Sequence, residues 1–160
     1  MANTAGFTVE EIVAATGAQL MGASGGASSS SHGSSDRAAP TCRGVSTDTR
    51  TLAAGNLYIP LKGPNFDGHN FIHEAFAKGA WGVLKAENTL KALGDLAAFH
   101  RRRFKIPVVA ITGSSGKTTT KELLATIAST KYSVLKTEAN YNNEIGLPLM
   151  LLSIEPSHEV

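Results

Sequence analysis

Apolar positions alternate between helical and strand-like spacing along the 160 residues of this chain. The run TVEE at residues 8–11 fits a capping box, in which the threonine hydroxyl and the second glutamate each accept a backbone N–H at the start of a helix. We therefore predict a short helix that ends at Gly17, followed by a brief strand in AQLMG. Residues 22–40 are so rich in Gly and Ser that they cannot bury enough apolar surface to offset the entropy of ordering, which predicts a flexible insertion.

A rhythm of strands and helices resumes after residue 41. Val45 and the apolar run at 57–61 predict two strands, with a turn at AGN between them. Apolar side chains at helical spacing in 71–76 predict a helix that stops at Gly79, and WGVLK predicts the next strand. A longer helix is predicted in TLKALGDLAAFHRRRF. These alternating elements indicate an α/β fold.

A second unit of the same kind follows. The segments PVVAIT, GSSG, KTTTKELLATIAST and YSVLKT predict in turn a strand, a loop, a helix and a strand. Helical spacing gives this helix one apolar face, which we expect to pack on a sheet and which consists of Leu123, Leu124, Ile127 and Ala128. An Asn-rich loop and a short apolar helix then lead to Val160.

The loop of the second unit has the features of a phosphate-binding site. A helix N-terminus offers unpaired N–H groups and the positive end of the helix dipole, so it stabilises an anion. Gly113 and Gly116 allow the backbone to come close to that anion. Lys117 can reach a terminal phosphate and the Thr118 hydroxyl can ligate magnesium. The loop is a shortened form, because Ile111 stands where the general motif has its first glycine; the alternative, a turn that only packs, leaves Lys117 without a role.

Two further polar segments each allow two interpretations. NYNNEIG is explained as a turn, because Asn tolerates left-handed backbone, but one strand after the loop it would also face the same crevice at the carboxyl edge of a sheet. STDTR at 46–50 places hydroxyls and a carboxylate beside an arginine whose planar fork suits a diphosphate. Asp48 could instead simply neutralise Arg50 at the end of a strand.

Composition narrows the class of protein. A chain that is 42% hydrophobic and 18% charged can bury a real core in one domain or one and a part. A net charge of +2 does not favour nucleic acid as a partner, and the basic run at 101–103 is interpreted as a solvated helix end. The single Cys42 excludes an internal disulfide and is interpreted as structural. Without a signal peptide or a run of about 20 apolar residues, we expect a cytoplasmic protein with no membrane insertion.

Four segments together resemble the Mur ligases, the ATP-dependent ligases of peptidoglycan precursor synthesis. They occur in the order and spacing of that family and are STDTR, AAGNLYIPLKGPNFDGHNFIHEAFAKGA, AITGSSGKTTTKE and TEANYNNEIGLPLMLLS. The best match is the branch that joins D-alanyl-D-alanine to UDP-N-acetylmuramoyl-tripeptide through an acyl phosphate. The resemblance therefore implies these two substrates, with ATP and Mg²⁺ as cofactors, and we expect a monomer.

The resemblance also implies a small UDP-substrate-binding α/β domain followed by the beginning of a P-loop-type ATP-binding central domain. The first would comprise residues 1–21, the insertion 22–40 and residues 41–105, and the second residues 106–160. By resemblance, ATP would be bound by Gly113, Ser114, Ser115, Gly116, Lys117, Thr118 and Thr119, with Lys117 as the catalytic residue on the β- and γ-phosphates and Thr118 on magnesium. The UDP substrate would be bound by Ser46, Thr47, Asp48, Arg50, Asn142 and Asn143.

Other interpretations stay open. The sister Mur ligase that adds the third amino acid shares this layout, and a non-catalytic nucleotide- or UDP-sugar-binding module would need the same motifs. A small P-loop kinase is disfavoured by the missing first glycine and by the long segment upstream of the loop. The family's downstream magnesium-binding glutamate, modified lysine and third domain would lie beyond Val160, so we expect the 160-residue chain by itself to be an incomplete, inactive fragment.

Overall fold

The structure is a computed structural model and describes residues 3–23, 41–138 and 143–160. Its helices are α1 (Val9–Thr16), α2 (Ile72–Ala77), α3 (Thr89–Arg102), α4 (Lys117–Ala128) and α5 (Gly146–Leu151), and a 3₁₀ helix (Gly68–Phe71) precedes α2. Its strands are β1 (Gln19–Met21), β2 (Val45–Ser46), β3 (Leu57–Tyr58) and β4 (Gly82–Lys85). Within the described ranges, no helix combines the length and the apolar character that a membrane crossing requires.

The four strands form one mixed sheet in the order β1-β4-β3-β2. β2, β3 and β4 are parallel, with Val45 opposite Leu57 and Tyr58 opposite Val83, whereas β1 runs antiparallel to β4. Helix α2 connects β3 to β4, as the strand and helix rhythm predicts. The predicted α/β class is therefore confirmed. The flexible insertion predicted at 22–40 lies, apart from its first two residues, outside the described residues.

The predicted capping box at the start of α1 is present. The Thr8 Oγ1 accepts the Glu11 backbone N–H at 3.2 Å, and the Glu11 carboxylate accepts the Thr8 N–H at 3.0 Å. The helix ends at Gly17, which has a φ of 67° and donates its N–H to the Val13 carbonyl oxygen. Both ends of α1 are thus set by local sequence.

One buried cluster joins the sheet to the helices that cover it. It includes Phe7, Ile12, Leu57, Ile59, Leu84, Leu93, Leu96 and Leu152, all fully buried. Leu152 follows α5, and α5 packs on α3, so the end of the described chain contributes to the same core as its beginning. Cys42 is also fully buried in this cluster and burial raises the pKa of its thiol, consistent with a structural role.

Two predicted strands are wrong. The segments 107–112 and 132–137 contain no strand, and Val108 and Val109 are more than half exposed. A strand is stable when its N–H and C=O groups pair with a neighbour, and no described strand pairs with either segment. The second segment makes isolated backbone hydrogen bonds instead. Glu159 N–H donates to the Ser133 carbonyl oxygen at 2.8 Å, and Leu135 N–H donates to the Val160 carbonyl oxygen at 2.9 Å.

The predicted packing of α4 on a sheet is also wrong. Leu123 and Ile127 are 61% and 67% exposed, and Ala125 is the one buried residue of this helix. The physical reason is the same, since the flanking segments form no sheet against which the apolar face could pack. The helix itself still begins where it was predicted, directly after Gly116.

The basic run at 101–103 is only partly the solvated helix end that was predicted. The Arg101 guanidinium donates to the carbonyl oxygens of Phe104 and Ile106 at 2.6 and 2.7 Å, which fixes the turn after α3. Arg103 is held against α1, whereas Arg102 is exposed.

Candidate functional site

The glycine-rich loop before α4 has the backbone geometry of an anion site. Gly113 has a φ of 152° and Gly116 a φ of 75°, and Gly116 lies immediately before the first residue of the helix. A side chain at Gly116 would meet no neighbouring atom within 4 Å, so this glycine is required by its left-handed backbone and not by lack of space.

The first amides of α4 are free to bind a ligand. Among the described residues no side chain caps this helix, and the N–H of Thr120 is the first to donate back along it, to the Gly116 carbonyl oxygen at 2.9 Å. The N–H groups of residues 117–119 precede that bond, and every residue from 112 to 120 is exposed. These amides and the positive end of the helix dipole together fit a phosphate group.

Lys117 supplies the charge at this loop. Its Nζ donates to the Gly113 carbonyl oxygen at 2.5 Å, so the ammonium spans the loop from one glycine to the helix start. The side chain is exposed, so the oxygen of a bound phosphate could replace this carbonyl oxygen as the partner of Nζ. The hydroxyls of Thr118 and Thr119 are exposed at the same helix end. The structure therefore places the sequence-predicted residues 113–119 in an exposed loop and the first turn of α4.

Helix α4 is tied to the segment that leads to the Asn-rich loop. Lys121 donates to the Thr137 carbonyl oxygen at 2.5 Å, and Lys136 pairs with the Glu122 carboxylate. Lys136 and Lys121 lower the pKa of Glu122 through these contacts. The contacts span 14 and 16 residues, so they orient the chain that enters the Asn-rich loop relative to the phosphate loop.

The Asn-rich loop is described only in part. Asn142 lies outside the described residues. The Oδ1 of Asn143 accepts the N–H groups of Ile145 and Gly146 at 3.1 and 2.7 Å, which closes a turn at the start of α5. The predicted role of Asn143 at a substrate stays a prediction beside this structural one.

STDTR forms a compact turn at the carboxyl end of β2. The Ser46 hydroxyl donates to the Asp48 carbonyl oxygen at 2.9 Å. Arg50 donates through Nε to both Asp48 carboxylate oxygens at 3.0 Å, and its Nη2 lies 2.5 Å from Oδ2. The Arg50 guanidinium lowers the pKa of Asp48, although both groups face solvent. The turn thus brings together Ser46, Thr47, Asp48 and Arg50. Within it, the Asp48 carboxylate accepts hydrogen bonds from the Arg50 guanidinium.

A brace from α2 supports this turn and was not predicted. Lys78 Nζ donates to the Thr49 carbonyl oxygen at 2.9 Å and pairs with Glu74 at 2.8 Å. The spacing of Glu74 and Lys78 is a visible helical ion pair, but the contact with Thr49 spans 29 residues and no local pattern could have indicated it. The brace holds the backbone at the centre of STDTR.

Tyr58 fixes the loop next to this turn. Its hydroxyl donates to the Gly68 carbonyl oxygen at 3.0 Å, and Asp67 accepts the His69 N–H at 2.9 Å. Burial raises the pKa of Tyr58, and the carboxylates of Asp48, Glu74 and Asp67 add to that shift. Asp48 and Asp67 lie in the segments that follow β2 and β3, and Glu74 lies on α2.

The three groups of predicted residues remain separate in the described ranges. No hydrogen bond or ion pair among the described side chains joins STDTR, the phosphate loop and Asn143. No group of three or more His, Cys, Asp or Glu side chains is positioned for a metal ion in residues 3–23, 41–138 and 143–160.

Comparisons with known proteins agree on one family. Residues 111–160 match the Mur ligase middle domain. The UDP-N-acetylmuramoyl-tripeptide–D-alanyl-D-alanine ligase of Synechocystis is 45% identical over 130 residues, which cover 72% of this chain and 29% of that protein. The chain thus spans about three tenths of the length of the curated relatives it matches.

Solved structures give the same result. A crystal structure of MurF from Acinetobacter baumannii aligns with a TM-score of 0.80 and 31% identity, over 96% of this chain and 34% of that one. The crystal structure of MurF ligase from Thermotoga maritima in complex with ADP aligns with a TM-score of 0.66 and 36% identity, over 72% of this chain and 30% of that one. Sequence motifs, family match and fold point the same way: this chain belongs to the Mur ligase family.

Proposed function

We propose that this chain carries the UDP-substrate-binding unit and the ATP phosphate loop of a UDP-N-acetylmuramoyl-tripeptide–D-alanyl-D-alanine ligase. The observation that carries the proposal is the uncapped N-terminus of α4 beside Lys117 and two glycines at positive φ. The names of the relatives and the ADP bound to one of them support it. In this proposal residues 106–160 begin the ATP-binding domain, and residues 1–21 and 41–105 form the substrate domain in a cytoplasmic enzyme.

The phosphate loop would bind the β- and γ-phosphates of ATP. Amides of residues 117–119 would donate to phosphate oxygens, and Lys117 would leave the Gly113 carbonyl to neutralise the charge that builds up during phosphoryl transfer. The exposed Thr118 hydroxyl would ligate Mg²⁺ together with phosphate oxygens. ATP supplies the phosphoryl group that activates the tripeptide carboxylate for attack by the amine of D-alanyl-D-alanine.

The STDTR turn would bind the uridine diphosphate. Arg50 has an 85% exposed side chain, so its outer guanidinium edge can meet an anion while Nε stays on Asp48. The role of Lys78 and Glu74 is then to keep the backbone of this turn in place. Asn142 and Asn143 would line the space between the nucleotide and the muramoyl substrate.

Calorimetry with MgADP tests the phosphate loop. Lys117→Met removes the ammonium and keeps the length of the stem, so we expect the Kd to rise at least about tenfold, equivalent to about 1.4 kcal/mol. Lys105→Met is the matched control, because Lys105 is also exposed and lies outside the loop. Equal ADP affinity for wild type and Lys117→Met would refute the assignment.

A second titration separates the branches of the family. UDP-N-acetylmuramoyl-tripeptide should bind, and UDP-N-acetylmuramoyl-dipeptide, the acceptor of the ligase that adds the third amino acid, should bind more weakly. The reverse order would favour the sister ligase. Arg50→Met should weaken both titrations while MgADP binding stays unchanged, because Arg50 lies outside the phosphate loop.

A further inference from the structure

His100 is a buried histidine that no part of the proposed function uses. It lies on α3, is 4% exposed, and its Nε2 is 2.9 Å from the carbonyl oxygen of Ile154. A carbonyl oxygen only accepts, so Nε2 carries the proton. Nδ1 is buried without a hydrogen-bond partner among the described residues. These contacts fit a neutral ring whose one proton, on Nε2, is donated to the segment that follows α5.

The surroundings of the ring are apolar on one side and positive on the other. The rings of Phe7 and Phe104 lie 5.6 and 5.0 Å from that of His100, both edge to face. Among charged groups, Arg103 lies one turn further along, and Glu11 of α1 is already paired with Arg103 at 2.7 Å. Glu155 follows Ile154, and its carboxylate accepts the Thr4 hydroxyl at 2.8 Å. His158 of the same segment accepts the Glu155 N–H on its Nδ1 at 2.9 Å. Among the described residues, neither Glu11 nor Glu155 accepts a hydrogen bond from Nδ1 of His100.

The contact made by His100 joins two distant parts of the chain. Leu152 belongs to the buried cluster that contains residues of α3, Ile154 is itself buried, and the hydrogen bond spans 54 residues. The described contacts that hold the 152–155 segment to the first part of the chain are this bond, the bond from Thr4 to Glu155 and apolar packing. Asn143 is fixed to the start of α5 by a local turn, so a movement of α5 would move Asn143 with it.

We propose that His100 is a pH-sensitive latch, which holds α5 and residues 152–155 against α3 while its ring is neutral and releases them when the ring is protonated. A charged imidazolium in this pocket would leave its new N–H unpaired and would lie near Arg103, and a buried unpaired charge is strongly disfavoured. Detaching the 152–155 segment admits water to the ring and removes both penalties.

The direction of the pH dependence follows from the same contacts. Burial lowers the pKa of His100, the hydrogen bond to Ile154 opposes this shift, and the charge of Arg103 adds to it. A histidine whose pKa is lowered in the closed state favours closure fully above its ordinary value of about 6.5. Closure weakens as the pH falls below that value, by up to about tenfold per pH unit for one proton.

Hydrogen exchange measured residue by residue tests the latch on the 160-residue chain. The reporting amides are those of Leu152, Ser153 and Ile154, which donate within the turns after α5. After correction for intrinsic exchange rates, we expect their protection to fall by up to about tenfold between pH 6.5 and 5.5. The amide of Ile12 in α1 should keep its protection over the same range. A parallel fall in α1 would mean global unfolding and would overturn the proposal.

Two variants isolate the ring. His100→Gln can still donate to the Ile154 carbonyl but cannot titrate, so protection at 152–154 should become independent of pH. His73→Gln is the matched control, because His73 is exposed and should behave like wild type.

If His100→Gln fails to fold, His100→Phe keeps a ring between Phe7 and Phe104 and serves the same purpose. If neither folds, an NMR titration of wild-type His100 decides: a pKa at or above the ordinary value refutes the latch.

Discussion

Arg103 offers the sharpest test of how the two ends of the first α/β unit are held together. Its guanidinium carbon lies 4.7 Å from the centre of the Phe7 ring and 4.8 Å from that of Phe99. Its Nη1 donates to the Gly6 carbonyl oxygen at 2.8 Å, and its Nη2 lies 2.7 Å from the Glu11 carboxylate. Arg103 thus links the end of α3 to the capping box of α1. The variant Arg103→Met removes both cation–π contacts, the hydrogen bond to Gly6 and the ion pair with Glu11, and it keeps most of the aliphatic stem.

The expected cost can be worked out contact by contact. Each partly exposed cation–π contact contributes about 0.5 to 1 kcal/mol. The hydrogen bond to the Gly6 carbonyl oxygen is exposed to solvent, so it is assigned only about 1 kcal/mol although its donor is charged. The pair with Glu11 is about one third exposed on both sides and is discounted to at most about 0.5 kcal/mol. Because neighbouring contacts are not additive, we expect the free energy of unfolding to fall by about 2 to 3 kcal/mol.

Urea unfolding followed by circular dichroism measures this change. Arg102→Met is the matched control, because Arg102 is the preceding residue and is exposed, so its free energy of unfolding should stay within about 0.5 kcal/mol of wild type. Glu11→Gln should cost less than Arg103→Met, and its effect should shrink at high salt. Equal stabilities for Arg103→Met and Arg102→Met would refute the reasoning, because the contacts would then contribute nothing.

Two further outcomes are expected. The Cys42 thiol should react with a disulfide reagent at pH 7.5 only after unfolding, because it is buried and burial raises its pKa; rapid labelling of the native chain would contradict this, with the denatured chain as control. Lys78→Met should weaken binding of UDP-N-acetylmuramoyl-tripeptide by about tenfold, since the hydrogen bond that supports the Thr49 carbonyl oxygen is lost, and leave MgADP affinity unchanged. Loss of both affinities in calorimetry would indicate general unfolding instead.

Sequence patterns predicted the elements that depend on neighbouring residues. The capping box at 8–11, the stop at Gly17 and the start of α4 after Gly116 are encoded within a few positions and were found where expected. The two failed strands depend on something else, a partner strand elsewhere in the chain. Periodicity shows that a segment can be a strand, but it does not show whether a neighbour is there to pair with it.

In the candidate site, too, the sequence predicted what is local and missed the contacts between distant residues. The phosphate loop is contiguous, so its residues appear together in the sequence as they do in the structure. The brace from Lys78 to Thr49 and the contact from His100 to Ile154 span 29 and 54 residues and arise only from tertiary packing. Arg102 and Arg103 make the point within one run, because identical neighbours differ in role through the direction each side chain takes from the end of α3.

The burial of Leu152 in the core of the first α/β unit bears on how this protein can be divided into pieces. Leu152 belongs to the stretch that matches the Mur ligase middle domain, yet it shares one buried cluster with Leu93 and Leu96 of α3. A fragment that ends at residue 105 would expose that apolar surface to water together with the ring of His100. The start of the segment that matches the middle domain therefore does not coincide with the boundary of the buried core. A fragment of the first unit that folds by itself would have to include residues 146–155.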